Sequence, residues 1–225
     1  MINSLNILYE DNHILVCEKP SGIAVQSRRI GTADMESMLK NHIFQTSDGQ
    51  CTPYLAVIHR LDQPVRGILV FAKTTFSAKE LNRQLTDGSF GKYYRALVDG
   101  VPPRPEGILT DYMIKNGRTN LSSICDKDLS GAKLARLTYR TIKPKEHFFQ
   151  MPDISSSPRT ELEIKLDTGR HHQIRCQLAH LGCPIVGDAK YNPNAQRGTT
   201  IRLCAYKLIF KHPKTKKTLS FELPA

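Results

Sequence analysis

A chain of 225 residues can bury a full core without disulfide staples, and its 40% hydrophobic content includes no run near the roughly 18 residues that a membrane-spanning helix needs. Lysine and arginine outnumber aspartate and glutamate 32 to 21, and the resulting formal charge of +11 makes nucleic acid the first partner class to consider. Six scattered cysteines without a C-x-x-C pair read as reduced thiols, and the opening residues lack a basic-then-apolar leader, so the expected location is the cytoplasm.

Ile7 to Glu10 and His13 to Cys17 read as two strands joined by the turn pair Asp11-Asn12. Thr32 is the expected cap of a helix running to about Ile43, with Met35, Met38 and Leu39 near one face. Leu55 to Ile58 and Ile68 to Ala72 are too apolar for surface strands, and they bracket the polar segment His59 to Arg66. A loop anchored at both ends by core strands can hold a side chain tightly. A helix starting at Thr75 or Ser77 runs through Leu85 and stops at Asp87-Gly88.

Tyr93 to Val98, Ala132 to Ile142 and Thr160 to Leu166 alternate as strands do, with loops rich in Ser, Pro and Asp expected between them. Lys143 to Pro158 reads as a surface insertion without chemistry. A helix from about His171 to Leu181 carries Ile174, Leu178 and Leu181 as its apolar stripe, with Arg175 one step off it. On a helix the neighbouring His171 and His172 would diverge by about 100°, which argues against their sharing a metal ion. Strands over Ile201 to Phe210 and Leu219 to Leu223 flank a basic run, Lys211 to Lys217, that reads as a solvated hairpin tip.

Four stretches carry a resemblance. His59-Arg60-Leu61-Asp62, followed by Gly67 and Ala72-Lys73-Thr74, resembles the signature H-R-L-D-x-x-T-S-G-x-x-x-x-A-K of the RluA family of RNA pseudouridine synthases. Ile7 to Asp11 with Lys19-Pro20-Ser21-Gly22, Lys92 to Val98, and Gly169 to Arg175 agree with that family in order and spacing. The resemblance implies an α+β pseudouridine synthase fold, a mixed and largely antiparallel sheet in two lobes with a central active cleft. It also implies a single catalytic domain over residues 1–225, without the N-terminal S4 domain that many relatives carry.

In this family the aspartate is catalytic, which assigns that role to Asp62. Arg175 is implied as its ion-pair partner, and Tyr94 as the residue that packs on the target base and takes the last proton. Arg60 is implied to fill the space an extruded base leaves, with Lys19, Lys73, Lys92 and Arg170 as candidate substrate contacts. The expected substrate is a uridine in ribosomal or transfer RNA. No metal, organic cofactor, membrane or obligate protein partner is expected.

The chemistry fits these residue types. Uridine becomes its C5-linked isomer when the glycosidic C–N bond breaks, the uracil turns and a C–C bond forms, without redox. An ionised carboxylate near C1′ stabilises or captures the sugar as positive charge develops. A nearby arginine lowers a carboxylate pKa and so keeps it ionised in a closed pocket.

The sequence departs from the family pattern at Val65-Arg66, where Thr-Ser is usual, at His171, where threonine is common, and at Gln177, where histidine often follows. A catalytically silent RNA-binding protein on the same scaffold is therefore the alternative reading. A metal-dependent nucleic-acid hydrolase using His171 and His172 is a more distant one.

Overall fold

A computed structural model describes residues 5–27, 29, 31–47, 52–143, 146, 148–149, 158–196 and 198–224. The chain separates into two compact units, one built from residues 1–91 and 205–223 and the other from residues 92–204 with the last two residues.

In the first unit, β1 (Asn6–Glu10) and β2 (Ile14–Lys19) form the expected hairpin. Asp11 shapes its turn, because one carboxylate oxygen accepts the amides of His13 and Ile14 at 2.7 and 2.8 Å. β2 pairs antiparallel with β4 (Arg66–Ala72), with Lys19 opposite Gly67 and Ile14 opposite Ala72. Ile68 to Ala72 are fully buried, in keeping with their unbroken apolar run. The expected strand from Leu55 to Ile58 shrinks to β3 (Ala56–Val57), a short piece paired with the far end of β4. β10 (Leu203–Lys211) lies beside β4, and β11 (Thr218–Glu222) pairs with β10.

Helix α1 (Met35–Thr46) starts later than expected, and its cap is Asp34 rather than Thr32. Asp34 is buried, with one carboxylate oxygen accepting the Ser37 amide and the other the Ser27 amide, so it fixes the helix start and the incoming loop together. Helix α2 (Thr75–Asp87) is capped by the Thr74 hydroxyl and closed by Gly88 in the left-handed conformation. The basic run Lys211 to Lys217 forms the β10–β11 turn, shaped by the buried His212, whose Nδ1 accepts the amides of Lys214 and Thr215.

The second unit is an antiparallel sheet in the order β5–β9–β8–β6–β7. Its strands β5 (Gly91–Asp99), β8 (Lys133–Thr141) and β9 (Arg159–Leu166) stand where the alternating sequence placed them, and they bury Leu97, Leu137, Leu162 and Ile164. The region expected to be loop instead forms a long hairpin, β6 (Glu106–Asn116) and β7 (Leu121–Cys125). Asn116-Gly117 opens its turn, with the Asn116 side chain accepting the amides of Arg118 and Thr119. Helix α3 (Gln173–His180) packs beside β7. Of the insertion at 143–158, most lies outside the described residues; the amides of Phe148 and Phe149 donate to the buried Glu161 carboxylate.

Candidate active site

The candidate residues divide between the units, with Lys19, Arg60, Asp62 and Lys73 in the first and Lys92, Tyr94, Arg170 and Arg175 in the second.

Asp62 is half-buried in the segment that leads into β4, between the buried side chains of Leu61 and Val65. The Val65 amide donates to the Asp62 carbonyl at 3.0 Å and closes a tight turn that starts at Asp62. The loop after β2 clamps the same turn from outside. Gly22 N–H donates to the Gln63 carbonyl at 2.9 Å, the Gln63 side chain returns a bond to the Gly22 carbonyl, and the Ser21 hydroxyl donates to the Pro64 carbonyl at 2.7 Å.

Lys19 completes the clamp. Its ammonium donates to the carbonyls of Pro20, Ile23 and Gln63 at 2.8–2.9 Å, and the residue is 0% exposed. Three N–H groups given to three carbonyls leave none for phosphate, so the substrate contact expected of Lys19 is replaced by a structural role: it ties the β2 loop to the Asp62 turn. Burial pushes this lysine down to about 8, while the Asp62 carboxylate pulls it back toward the charged form.

Around this turn, Arg60 is exposed and its guanidinium is held by the Gln26 side chain. His59 accepts the Val70 amide at Nε2, 3.3 Å away, and its ring meets Phe90 edge-on, so it is a satisfied structural histidine. Lys73 pairs with Glu10 at 2.6 Å, and Glu10 also meets His42 at 2.8 Å. Two of the departures from the family pattern are absorbed locally: Val65 is buried, and exposed Arg66 pairs with Glu18 on β2.

In the second unit, Tyr94 is buried on β5 opposite Ile164, while Tyr93 takes the other face, as a strand requires. Lys92 is half-buried, and burial lowers its pKa, with Asp167 opposing the shift and Arg170 adding to it. Arg170 is exposed and donates from Nε to the Leu134 carbonyl at 2.8 Å. Gln173, buried at the start of α3, accepts the Arg170 amide and the Thr168 hydroxyl and donates to the Arg136 carbonyl. It thereby locks the 168–170 loop to the helix.

Arg175 lies on α3, 4% exposed, and forms a two-pronged ion pair with Asp188, itself 1% exposed. Tyr191 stacks its ring on the guanidinium at 5.2 Å. The helix begins two residues later than expected because His172 is left-handed at φ 52°, a conformation that costs roughly 1 kcal/mol or more in a non-glycine residue. The bend overturns the expected divergence of the two histidines. Instead of splaying by a third of a turn, their rings stack with centroids 3.7 Å apart, His171 bonded to Ser122 and His172 to the Tyr191 hydroxyl.

Sequence reasoning passed over Gln63, Asp188 and Tyr191. Gln63 lies inside the signature and was legible as a neighbour of Asp62. Asp188 stands after Val186-Gly187 in a polar loop, and nothing in the linear order ties it to an arginine on the preceding helix.

The chain matches a family profile described as RNA pseudouridylate synthase over residues 13–180. It is 31% identical over 223 residues to the dual-specificity RNA pseudouridine synthase RluA of Salmonella typhi, covering 98% of this chain and 93% of that one. It is 33% identical over 226 residues to the ribosomal large subunit pseudouridine synthase C of Buchnera aphidicola subsp. Baizongia pistaciae, spanning 97% of this chain and 66% of that longer relative. The fold is similar to that of human RNA pseudouridylate synthase domain containing 1, with a TM-score of 0.77 at 21% identity over 99% of this chain and 84% of that one. A profile match across most of the chain, together with relatives above 30% identity along nearly all of it, places this α+β protein in the RNA pseudouridylate synthase family, as an RluA-like isomerase.

Proposed function

We propose that this chain isomerises a uridine in ribosomal or transfer RNA to pseudouridine, with Asp62 as the carboxylate that acts on the ribose. The observation that carries this reading is the clamp on the Asp62 turn, where a buried ammonium and three further hydrogen bonds hold the backbone that carries a half-buried aspartate in the family signature. A carboxylate on a turn held this firmly, and not fully buried itself, is ready to meet charge developing outside it.

The target nucleotide leaves its stack before C1′ can be reached. Arg60, exposed beside Asp62 in sequence, fills the vacancy. As the N1–C1′ bond breaks, the Asp62 carboxylate works at the ribose, at C1′ or by drawing off a ribose proton. The uracil turns, the C1′–C5 bond forms, the C5 proton departs to Tyr94 as base, and N1 gains a proton. Arg175 is the ion-pair partner of that carboxylate, and Lys73, Lys92 and Arg170 serve the phosphates and the base.

The isomerisation is redox-neutral and needs no cofactor. Such an enzyme works where ribosomal and transfer RNA are made, in the cytoplasm. Among the described residues no helix is long and apolar enough to cross a membrane. Val65 and Arg66 prompt the alternative of a silent RNA-binding protein, yet Val65 is taken up by the core and Arg66 by Glu18, which supports the enzyme reading.

The test uses cellular RNA carrying tritium at uridine C5. Wild type releases tritium from one RNA fraction and Asp62→Asn does not, while both bind that RNA alike. Equal release by the two proteins removes Asp62 from the mechanism, and no release from any fraction removes the function.

A further inference from the structure

We propose that Asp188 and Tyr191 are positioning residues for Arg175, with the left-handed backbone at His172 holding the assembly together; the inference rests on reading Arg175 as the cation of the reaction. An arginine side chain turns about several bonds, so a guanidinium that must present one edge to a reacting group has to be held from behind.

Asp188 supplies that grip. It accepts Nε–H at 2.8 Å and one Nη2–H at 2.6 Å, which fixes the guanidinium plane and its rotation within that plane. This side-on fork grips the Nε and Nη2 edge of the guanidinium and so sets the direction of the opposite edge. Asp188 is itself fixed, accepting the Lys190 amide at 3.0 Å and donating its own amide to the Ile185 carbonyl at 3.1 Å.

The guanidinium carbon of Arg175 lies over the Tyr191 ring, 5.2 Å from its centroid. Its hydroxyl accepts the Ser122 amide at 2.7 Å and meets His172 Nδ1 at 2.9 Å, so the ring cannot swing away. That second bond exists because His172 departs from the helix, at φ 52° and 7% exposed. Backbone strain in a buried residue persists only where its surroundings hold it, and it collects at sites with a task. A buried ion pair adds little stability over apolar residues of similar size, so stability alone gives no reason to keep charges at this position.

The test measures single-turnover rates at saturating RNA, RNA affinity and thermal melts. Asp188→Asn, which keeps the volume and one acceptor, is expected to slow the reaction by about tenfold or more with affinity within about twofold of wild type. Tyr191→Phe, which keeps the ring and loses only the hydroxyl bonds, is expected to lose about threefold. In an Arg175→Lys background, which cannot make the fork, both substitutions are expected to cost less than about twofold more, because they act through the guanidinium.

Full-strength losses in the Arg175→Lys background, or wild-type rates in both single variants, overturn the inference. If Asp188→Asn does not fold, Tyr191→Phe with and without Arg175→Lys decides alone. Wild-type turnover by Arg175→Lys itself strikes the proposed role of Arg175, whereas a slow Arg175→Lys beside normal Asp188→Asn and Tyr191→Phe strikes only the present inference.

Discussion

Lys19 illustrates how far a residue's type can mislead about its task. Lysine beside a nucleic-acid site reads as a phosphate contact, and only burial with three carbonyl acceptors turns it into a clamp. Replacing it by methionine is expected to cost about 2–4 kcal/mol in urea unfolding, because the Pro20 and Ile23 carbonyls lose their donor inside the fold. The same variant should turn over RNA more slowly while the slope of log affinity against log salt stays at the wild-type value. A phosphate contact would instead reduce that slope by about 1. Asp62, Arg175 and Tyr94 are candidates that the motifs around them single out. Asp188 was not, because its relation to Arg175 is made by the bend at His172 and the loop after α3, and short-range patterns do not encode such a return.

Among the elements, the buried strands and the helices were readable because their signals are local. β2 and β4 contain the unbroken apolar runs Ile14 to Cys17 and Ile68 to Ala72, and Thr74 and Gly88 bound α2 with ordinary capping chemistry. The β6–β7 hairpin escaped because much of β6 faces solvent, which leaves no sharp alternation, and Asn116-Gly117 was its one clear signal. At α1 two capping residues competed, and the buried Asp34 won by also bonding Ser27. β4 carries the most demanding position of any strand in the first unit. A Cβ at Gly67 would lie 2.4 Å from the Ala205 Cβ and 2.6–2.7 Å from its backbone oxygen and nitrogen. Gly67→Ala is therefore expected to destabilise the protein by about 3 kcal/mol, read as a lower urea midpoint with an unchanged slope. A near-neutral result would mean that β10 yields at Ala205.

For the molecule as a whole, charge decides both partner and acid tolerance. Burial acts to raise Glu10, but Lys73 and His42 outweigh it and hold the carboxyl below its usual range. Asp11 is likewise lowered despite burial, by the amides of Ile14 and His13, by Tyr9 and by His212. Because both folded values lie below the unfolded ones, these groups contribute full stability above about pH 4.5, and the contribution is lost as pH falls through the folded values. A Glu10→Gln, Asp11→Asn double variant should show a smaller fall in urea midpoint between pH 5 and 3 than wild type; an identical fall would show that other carboxylates set the acid limit.

The net charge of +11 pointed to nucleic acid from the start, while the division into two units was legible only as an implication of family resemblance. That division also bears on the order of assembly. The first unit is interrupted after residue 91 and resumes at residue 205, so the strand that pairs with β4 on this side is synthesised only after the whole intervening segment. At about 5–20 residues per second, the apolar edge of β4 waits several seconds for β10, long enough for the intervening residues to settle first. The nascent chain is therefore most exposed to aggregation while β10 is still unmade, and the β10–β11 hairpin is the step that relieves it.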